Sequence, residues 1–248
     1  MARRFTGASS EFLTFAPGAA TALGNGVTTL AVLHKPATNH RGGILRGLDS
    51  GGFTGLSLSC FDTDTMFVAR SGSTGIGAYG TGSWLLDVIA IASGSATPRR
   101  HKFTVGGAWA HANGAGAVSN STAVPHSSFR VGRSAADEYY NGDIAAIAGF
   151  AANMSNDATV EGYGLETNLA AWLALSPLFL WRFNQADVTT AVNDVTGGGA
   201  NQTARTGTSV VADPPGFSYY LPGIDPPSEV TQYVRVGGSW VPLVGVTP

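Results

Sequence analysis

The chain has 248 residues, of which 44% are hydrophobic and only 12% charged, about half the roughly 25% charged share of ordinary globular chains. That balance supplies a core and excludes charge-driven disorder. With a net charge of −2, no strong field draws the chain to nucleic acid or an anionic membrane, so neither partner is expected.

The first residues, Met1-Ala2-Arg3-Arg4, have the basic start of a secretory leader. Thr6 to Glu11 is polar where such a leader needs an apolar stretch, so a protein made without a signal peptide is expected. Val27 to Leu33, rich in β-branched residues and followed by Pro36, predicts a strand. Phe53 to Cys60 and Thr65 to Arg70 alternate apolar and polar residues at period two, the pattern of half-buried strands. Cys60 is the only cysteine, which excludes an internal disulfide, and its place in an alternating strand reads as a buried small hydrophobe.

Gly75-Ile76-Gly77-Ala78-Tyr79-Gly80 matches the G-x-G-x-x-G nucleotide fingerprint. That fingerprint needs a helix after its last glycine and an acid about 20 residues on. A strand-like run follows, no acid occurs between Asp87 and Asp137, and a glycine turn is the better reading. Trp84 to Ala92 is apolar on both faces and predicts a central strand; it is far too short to span a membrane. His101 to Trp109, Phe129 to Gly132 and Asp143 to Phe150 complete a series of short strands between Gly-, Ser- and Asn-rich turns, the spacing of a sandwich.

From Leu165, the residues Leu165, Leu169, Trp172 and Leu173 form one helical stripe, which Pro177 ends. Leu178 to Phe183 returns to strand character, Thr189 to Thr206 reads as a polar loop, and Thr208 to Ala212 as a short strand that pairs back. Five prolines, at 214, 215, 222, 226 and 227, then predict a stiff tether. The last segment, Val230 to Val236 and Ser239 to Val244 around Gly237-Gly238, predicts a hairpin. A lone hairpin is marginal in water. Its apolar residues Tyr233, Val234, Trp240 and Leu243 therefore need a surface, either the chain's own sandwich or another subunit.

Candidate chemistry is sparse. Asp62-Thr63-Asp64 could offer two carboxylates to calcium, but a solvated hairpin turn is the better reading, and no clear ligand cluster supports a cofactor. Asp137, Glu138 and Asp143 are scattered, and Asp143 after Asn141-Gly142 reads as a turn acid. Histidines at 34, 40, 101, 111 and 126 form no H-E-x-x-H motif or tight pair, so no metal site is expected. No G-x-S-x-G elbow occurs, and no strand carries alternating carboxylates, so no catalytic residue is assigned. The three N-x-[ST] sequons, at Asn120, Asn153 and Asn201, are about what chance supplies. Trp84, Trp109, Trp172 and Trp181 lie in apolar runs and read as core.

Several segments resemble laminin-G-like, concanavalin A-like domains over about residues 10–183. Trp84 to Ala90 is similar to one family strand, His101 to Gly107 to a hairpin strand, and Phe129 to Arg133 with Tyr140 to Ile147 to the closing strands. The resemblance implies an all-β, two-sheet antiparallel jelly-roll sandwich with one short helix, here residues 1–212, followed by a linker at 213–229 and a hairpin at 230–248. Because that fold hosts lectins, glycosidases, adhesion modules and viral structural proteins, it fixes no function. The glycosidase branch requires a Glu-x-Asp strand motif that is missing. Tyr233 to Pro242 resembles the C-terminal ribbons of tailed-phage virion proteins, and Arg outnumbers Lys 12 to 2, as in GC-rich genomes. The expectation is a non-enzymatic virion protein (minor tail, fibre or capsid-decoration type), homo-oligomeric and bound to other virion proteins, located in the phage particle. The alternative is a carbohydrate-binding module for host surface glycan.

Overall fold

The computed structural model describes residues 2–16, 18, 27–48, 54–61, 65–69, 73–118, 126–134, 138–183, 202–212, 214–218, 232–236 and 239–243. In chain order the strands are β1 (Ala2–Phe5), β2 (Phe12–Phe15), β3 (Thr28–Pro36), β4 (Gly42–Leu48), β5 (Thr54–Phe61), β6 (Thr65–Ala69), β7 (Ser73–Ala78) and β8 (Leu85–Ile91). They continue through β9 (Arg99–Thr104), β10 (Trp109–Asn113), β11 (Ser128–Val131) and β12 (Gly142–Phe150). Helices α1 (Asp157–Gly162) and α2 (Leu169–Ala174) follow, then β13 (Phe179–Arg182), β14 (Gln202–Thr206), β15 (Ser209–Val211), β16 (Gln232–Val236) and β17 (Ser239–Leu243).

Two antiparallel sheets form the expected jelly-roll sandwich. One runs β10-β9-β8-β3-β12-β1-β15, and the other β14-β2-β11-β4-β5-β6-β7. β12 shares one edge between two strands: β1 pairs with its first residues, Arg3 opposite Ile144, and β13 with its later ones, Ile147 opposite Trp181. Between the sheets, Phe15, Phe179 and Trp181 stack at 3.9–4.1 Å between ring centroids, beside Leu30, Val32, Ile89 and Ile147. A second apolar layer lies outside the first sheet, where Ala31, Leu33, Leu86, Val88 and Phe150 meet Val160, Leu165, Leu169 and Trp172. Sandwich inside and helices outside leave β8 and β12 buried along their whole length, hence sequences that are apolar except for the ion-paired Asp87 and Asp143.

Several elements differ from the sequence expectation. The run from His101 to Trp109 is not one strand but the end of β9, a turn and the start of β10. Two short helices replace the single one, and Leu165 lies ahead of α2, accepting the Trp172 indole N–H at 2.7 Å. Residues 202–206, read as loop, form β14 at a sheet edge, while β15 pairs back as expected, its partner being the unread strand β1. β4 went unread because its glycines mask it. A Cβ on Gly42 would strike the Tyr139 backbone and one on Gly43 the Arg133–Ser134 peptide, so close approach excludes side chains there. Gly75 to Ala78 lies within β7 rather than in a turn, and the next regular element after Gly80 is strand β8, which removes the nucleotide reading.

The segment read as a tether begins with residues held on the sandwich. Leu169 N–H donates to the Ser218 carbonyl and Ser218 N–H to Thr167, both at 2.9 Å, and Phe217 packs edge-on against Trp172. β16 and β17 pair antiparallel, with Val234 opposite Val241 and Arg235 opposite Trp240, and among the described residues they join neither sheet.

Candidate functional site

The β9–β10 hairpin is set by its turn. Gly107 N–H donates to the Thr104 carbonyl at 2.7 Å, and Gly106 takes φ +81°, the left-handed conformation that glycine adopts without cost. That turn places His101 opposite His111, Phe103 opposite Trp109 and Arg99 opposite Asn113. The three pairs share one face, the outer face of the first sheet, because side chains alternate along a strand.

The loop after β12 brings a further set of groups over this face. The Thr29 hydroxyl donates to the Ala152 carbonyl at 2.6 Å and accepts from Met154 N–H at 3.2 Å, anchoring the loop to β3. Asn156 caps α1 by accepting from Thr159 N–H at 3.0 Å, and Val160 seats the helix in the outer core. Asp157, the first residue of α1, thereby reaches Arg99, whose Nε donates to Oδ1 at 2.9 Å and whose Nη2 donates to Oδ2. Arg99's hydrogen bonds hold the Asp157 carboxyl below the usual carboxylate range.

His101 and His111 meet at the centre of this cluster, their Nδ1 atoms 3.0 Å apart. His101 Nε2 donates to the Met154 carbonyl at 2.7 Å, and His111 Nε2 donates to Glu161 Oε1 at 2.7 Å. Asp157 Oδ1 stands 3.4 Å from His101 Nδ1 and 3.8 Å from His111 Nδ1. Trp109 lies parallel to the His111 ring, 6.2 Å between centroids. Beside the cluster opens a cleft of about 570 Å³, whose polar lining is Thr97, Arg99, Asn113, Asn153, Ser155, Asn156 and Asp157.

A second polar cluster lies inside the sandwich. Tyr140 Oη is 2.9 Å from His34 Nδ1, His34 Nε2 is 2.8 Å from Asp87 Oδ2, and Arg100 Nε donates to Asp87 Oδ1 at 2.7 Å. Arg100 Nη1 also reaches the carbonyls of Ile76, Gly77 and Ala78, tying the two sheets together. Burial alone would push the Asp87 carboxyl up; the Arg100 charge and the His34 hydrogen bond overcome it and hold the pKa at about 2. Burial pushes the Tyr140 phenol well above its ordinary value. Tyrosine, histidine and aspartate have the order of a catalytic relay, yet all three are fully buried, so the chain serves the fold.

The remaining sequence candidates fall elsewhere. Asp143 is no turn acid; it is the second residue of β12, and its carboxylate binds Arg4 at 2.8 and 3.0 Å. Glu138 pairs with Arg41. Cys60 is buried in the inner core as expected. Trp84, Trp172 and Trp181 are core, whereas Trp109 is only half-buried at the sheet rim. Asp62, Asp64 and Asp137 lie outside the described residues. Of Tyr233, Val234, Trp240 and Leu243 the structure gives the backbone pairing alone.

No family model matches the sequence, and no curated protein matches it. Solved structures do. A candidate carbohydrate-binding protein from Bacteroides ovatus superposes with a TM-score of 0.52 at 14% identity, over 84% of this chain and 58% of its own. The chain thus spans a little over half of that protein. A heptameric SAP-like pentraxin from Limulus polyphemus matches at TM-score 0.45 and 14% identity, over 62% of this chain and 76% of its own. The LG1-3 region of the laminin alpha2 chain matches at 0.44 and 11%, over 60% and 30%. At such identities the likeness is one of fold: an antiparallel two-sheet β-sandwich.

Proposed function

We propose that this chain is a non-catalytic glycan-binding sandwich whose ligand lies in the cleft beside α1. The observation that carries the reading is the lining itself. Exposed amides of Asn113, Asn153 and Asn156, hydroxyls of Thr97 and Ser155, and the Arg99–Asp157 pair offer both donors and acceptors, the set that sugar hydroxyls require. The Bacteroides neighbour, described as carbohydrate-binding, supports the same class. Against hydrolysis stands the state of the carboxylates: Asp87, Asp143, Asp157 and Glu138 are each ion-paired to an arginine, while glycosidases need two working carboxyl groups about 5–9.5 Å apart. The test is binding of the full chain to a panel of bacterial cell-wall and capsular polysaccharides, alongside the Asn113→Ala/Asn153→Ala variant. Retention by a polysaccharide, weakened at least tenfold in the variant, is expected. Retention by none would overturn the reading.

A second reading concerns assembly. The β16–β17 pair joins neither sheet among the described residues, and an isolated hairpin is marginal in water. This favours an arm docked on a neighbouring subunit, and the resemblance of Tyr233 to Pro242 to tailed-phage ribbons supports a virion component as its setting. Removing residues 219–248 keeps the docked residues 214–218. Loss of a closed oligomer on truncation is expected; a monomer of unchanged behaviour in both forms would remove the assembly role.

A further inference from the structure

We propose that His101, His111 and Asp157 form a binding site for a divalent transition metal ion of the zinc class. The argument begins with protons. A carbonyl and a carboxylate can only accept, so His101 Nε2 and His111 Nε2 each carry the ring proton, held by Met154 and Glu161 at 2.7 Å. In the neutral rings both Nδ1 atoms are then bare lone pairs, and they face each other at 3.0 Å with Asp157 Oδ1 at 3.4 and 3.8 Å. Two ring nitrogens and a carboxylate oxygen thus converge on one point, an arrangement that a metal cation would satisfy.

The spacing suits a metal. Ligands about 2.0–2.1 Å from a tetrahedral zinc ion stand about 3.3 Å from one another, and the three separations here bracket that value. Two imidazoles and a carboxylate are a borderline donor set, suited to zinc, cobalt, nickel or copper and not to calcium. The surroundings have the form of a metal's outer shell, in which each ligating histidine donates its other N–H to a carbonyl or carboxylate and the ligating carboxylate is itself hydrogen-bonded, here by Arg99. The His101 side chain is fully buried while that of Asp157 is 38% exposed, so the ion would enter from the Asp157 side, where the cleft begins.

The experiment is titration of the full, chelator-treated chain with Co²⁺, read by visible absorption, and with Zn²⁺, read by calorimetry, in the absence of any glycan. One equivalent bound with a tetrahedral Co²⁺ spectrum is expected. His111→Gln should remove the spectrum and weaken Zn²⁺ binding at least tenfold with an unchanged far-ultraviolet circular dichroism spectrum. Glu161→Gln, which touches no metal, should weaken binding by about 10–100-fold. No uptake by the natural chain, or equal uptake by the His111→Gln variant, would overturn the site. Because no polysaccharide enters the assay, the result stands apart from that of the glycan reading.

Discussion

Arg99 and Arg100 are neighbours on one strand, yet they serve opposite faces of the sheet and two different kinds of polar cluster. Arg100 points inward to Asp87, His34 and Tyr140, and Arg99 outward to Asp157 beside His101 and His111. Every histidine in the two clusters uses Nε2 toward a carboxylate or carbonyl. The difference lies at Nδ1: that of His34 meets a tyrosine hydroxyl, while those of His101 and His111 meet each other. A buried network of paired groups rigidifies a fold. A rim cluster whose lone pairs converge beside an open cleft is built to receive something.

The contrast is broken most severely at its centre. Asp87→Asn leaves Arg100 buried without its counter-charge, and a loss of about 3–5 kcal/mol is expected in chemical denaturation; a loss below about 1 kcal/mol would show that the inner cluster does not hold the sheets. Acid probes the same group. Its folded pKa of about 2 lies below the ordinary carboxylate value near 4. The unfolded chain therefore binds more protons between pH 4 and 2, so the stability that Asp87 contributes is complete above about pH 4 and is lost as pH falls toward 2. Denaturation curves across that window should show the slope in the natural chain and a shallower one in Asp87→Asn. Tyr140→Phe removes only the hydroxyl partner of His34, and about 1–3 kcal/mol is expected. His111→Gln, at the rim, should change stability by about 1 kcal/mol or less, since it disturbs one partly exposed hydrogen bond to Glu161. An effect as large as that of Asp87→Asn would erase the distinction between the clusters.

How far the sequence revealed this depends on the range of the signal. Trp84 to Ala92 announced a strand buried on both faces because sandwich and helices both demand apolar side chains there. β1 was hidden by Arg3 and Arg4, although Arg3 is fully buried and Arg4 is matched by Asp143, a partner far along the chain. The site was hidden by register. Reading His101 to Trp109 as one strand placed a single histidine there, whereas a turn centred on Gly106 sets residues 101 and 111 face to face. That signal was present in Gly106-Gly107 between two β-like runs. Asp157 could not be paired with them from sequence, because contacts far apart in the chain, the Thr29 anchor and the Arg99 pair among them, carry it across the sheet.

The most direct test is a residue-resolved footprint: amide chemical shifts of the isotopically labelled full chain, recorded as a polysaccharide that it retains is added. The account predicts shifts concentrated in residues 97–113 and 153–161, with the amides of His34, Asp87 and Tyr140 nearly still. Shifts centred on the interior cluster or on the seven-stranded sheet, with the rim unmoved, would contradict it.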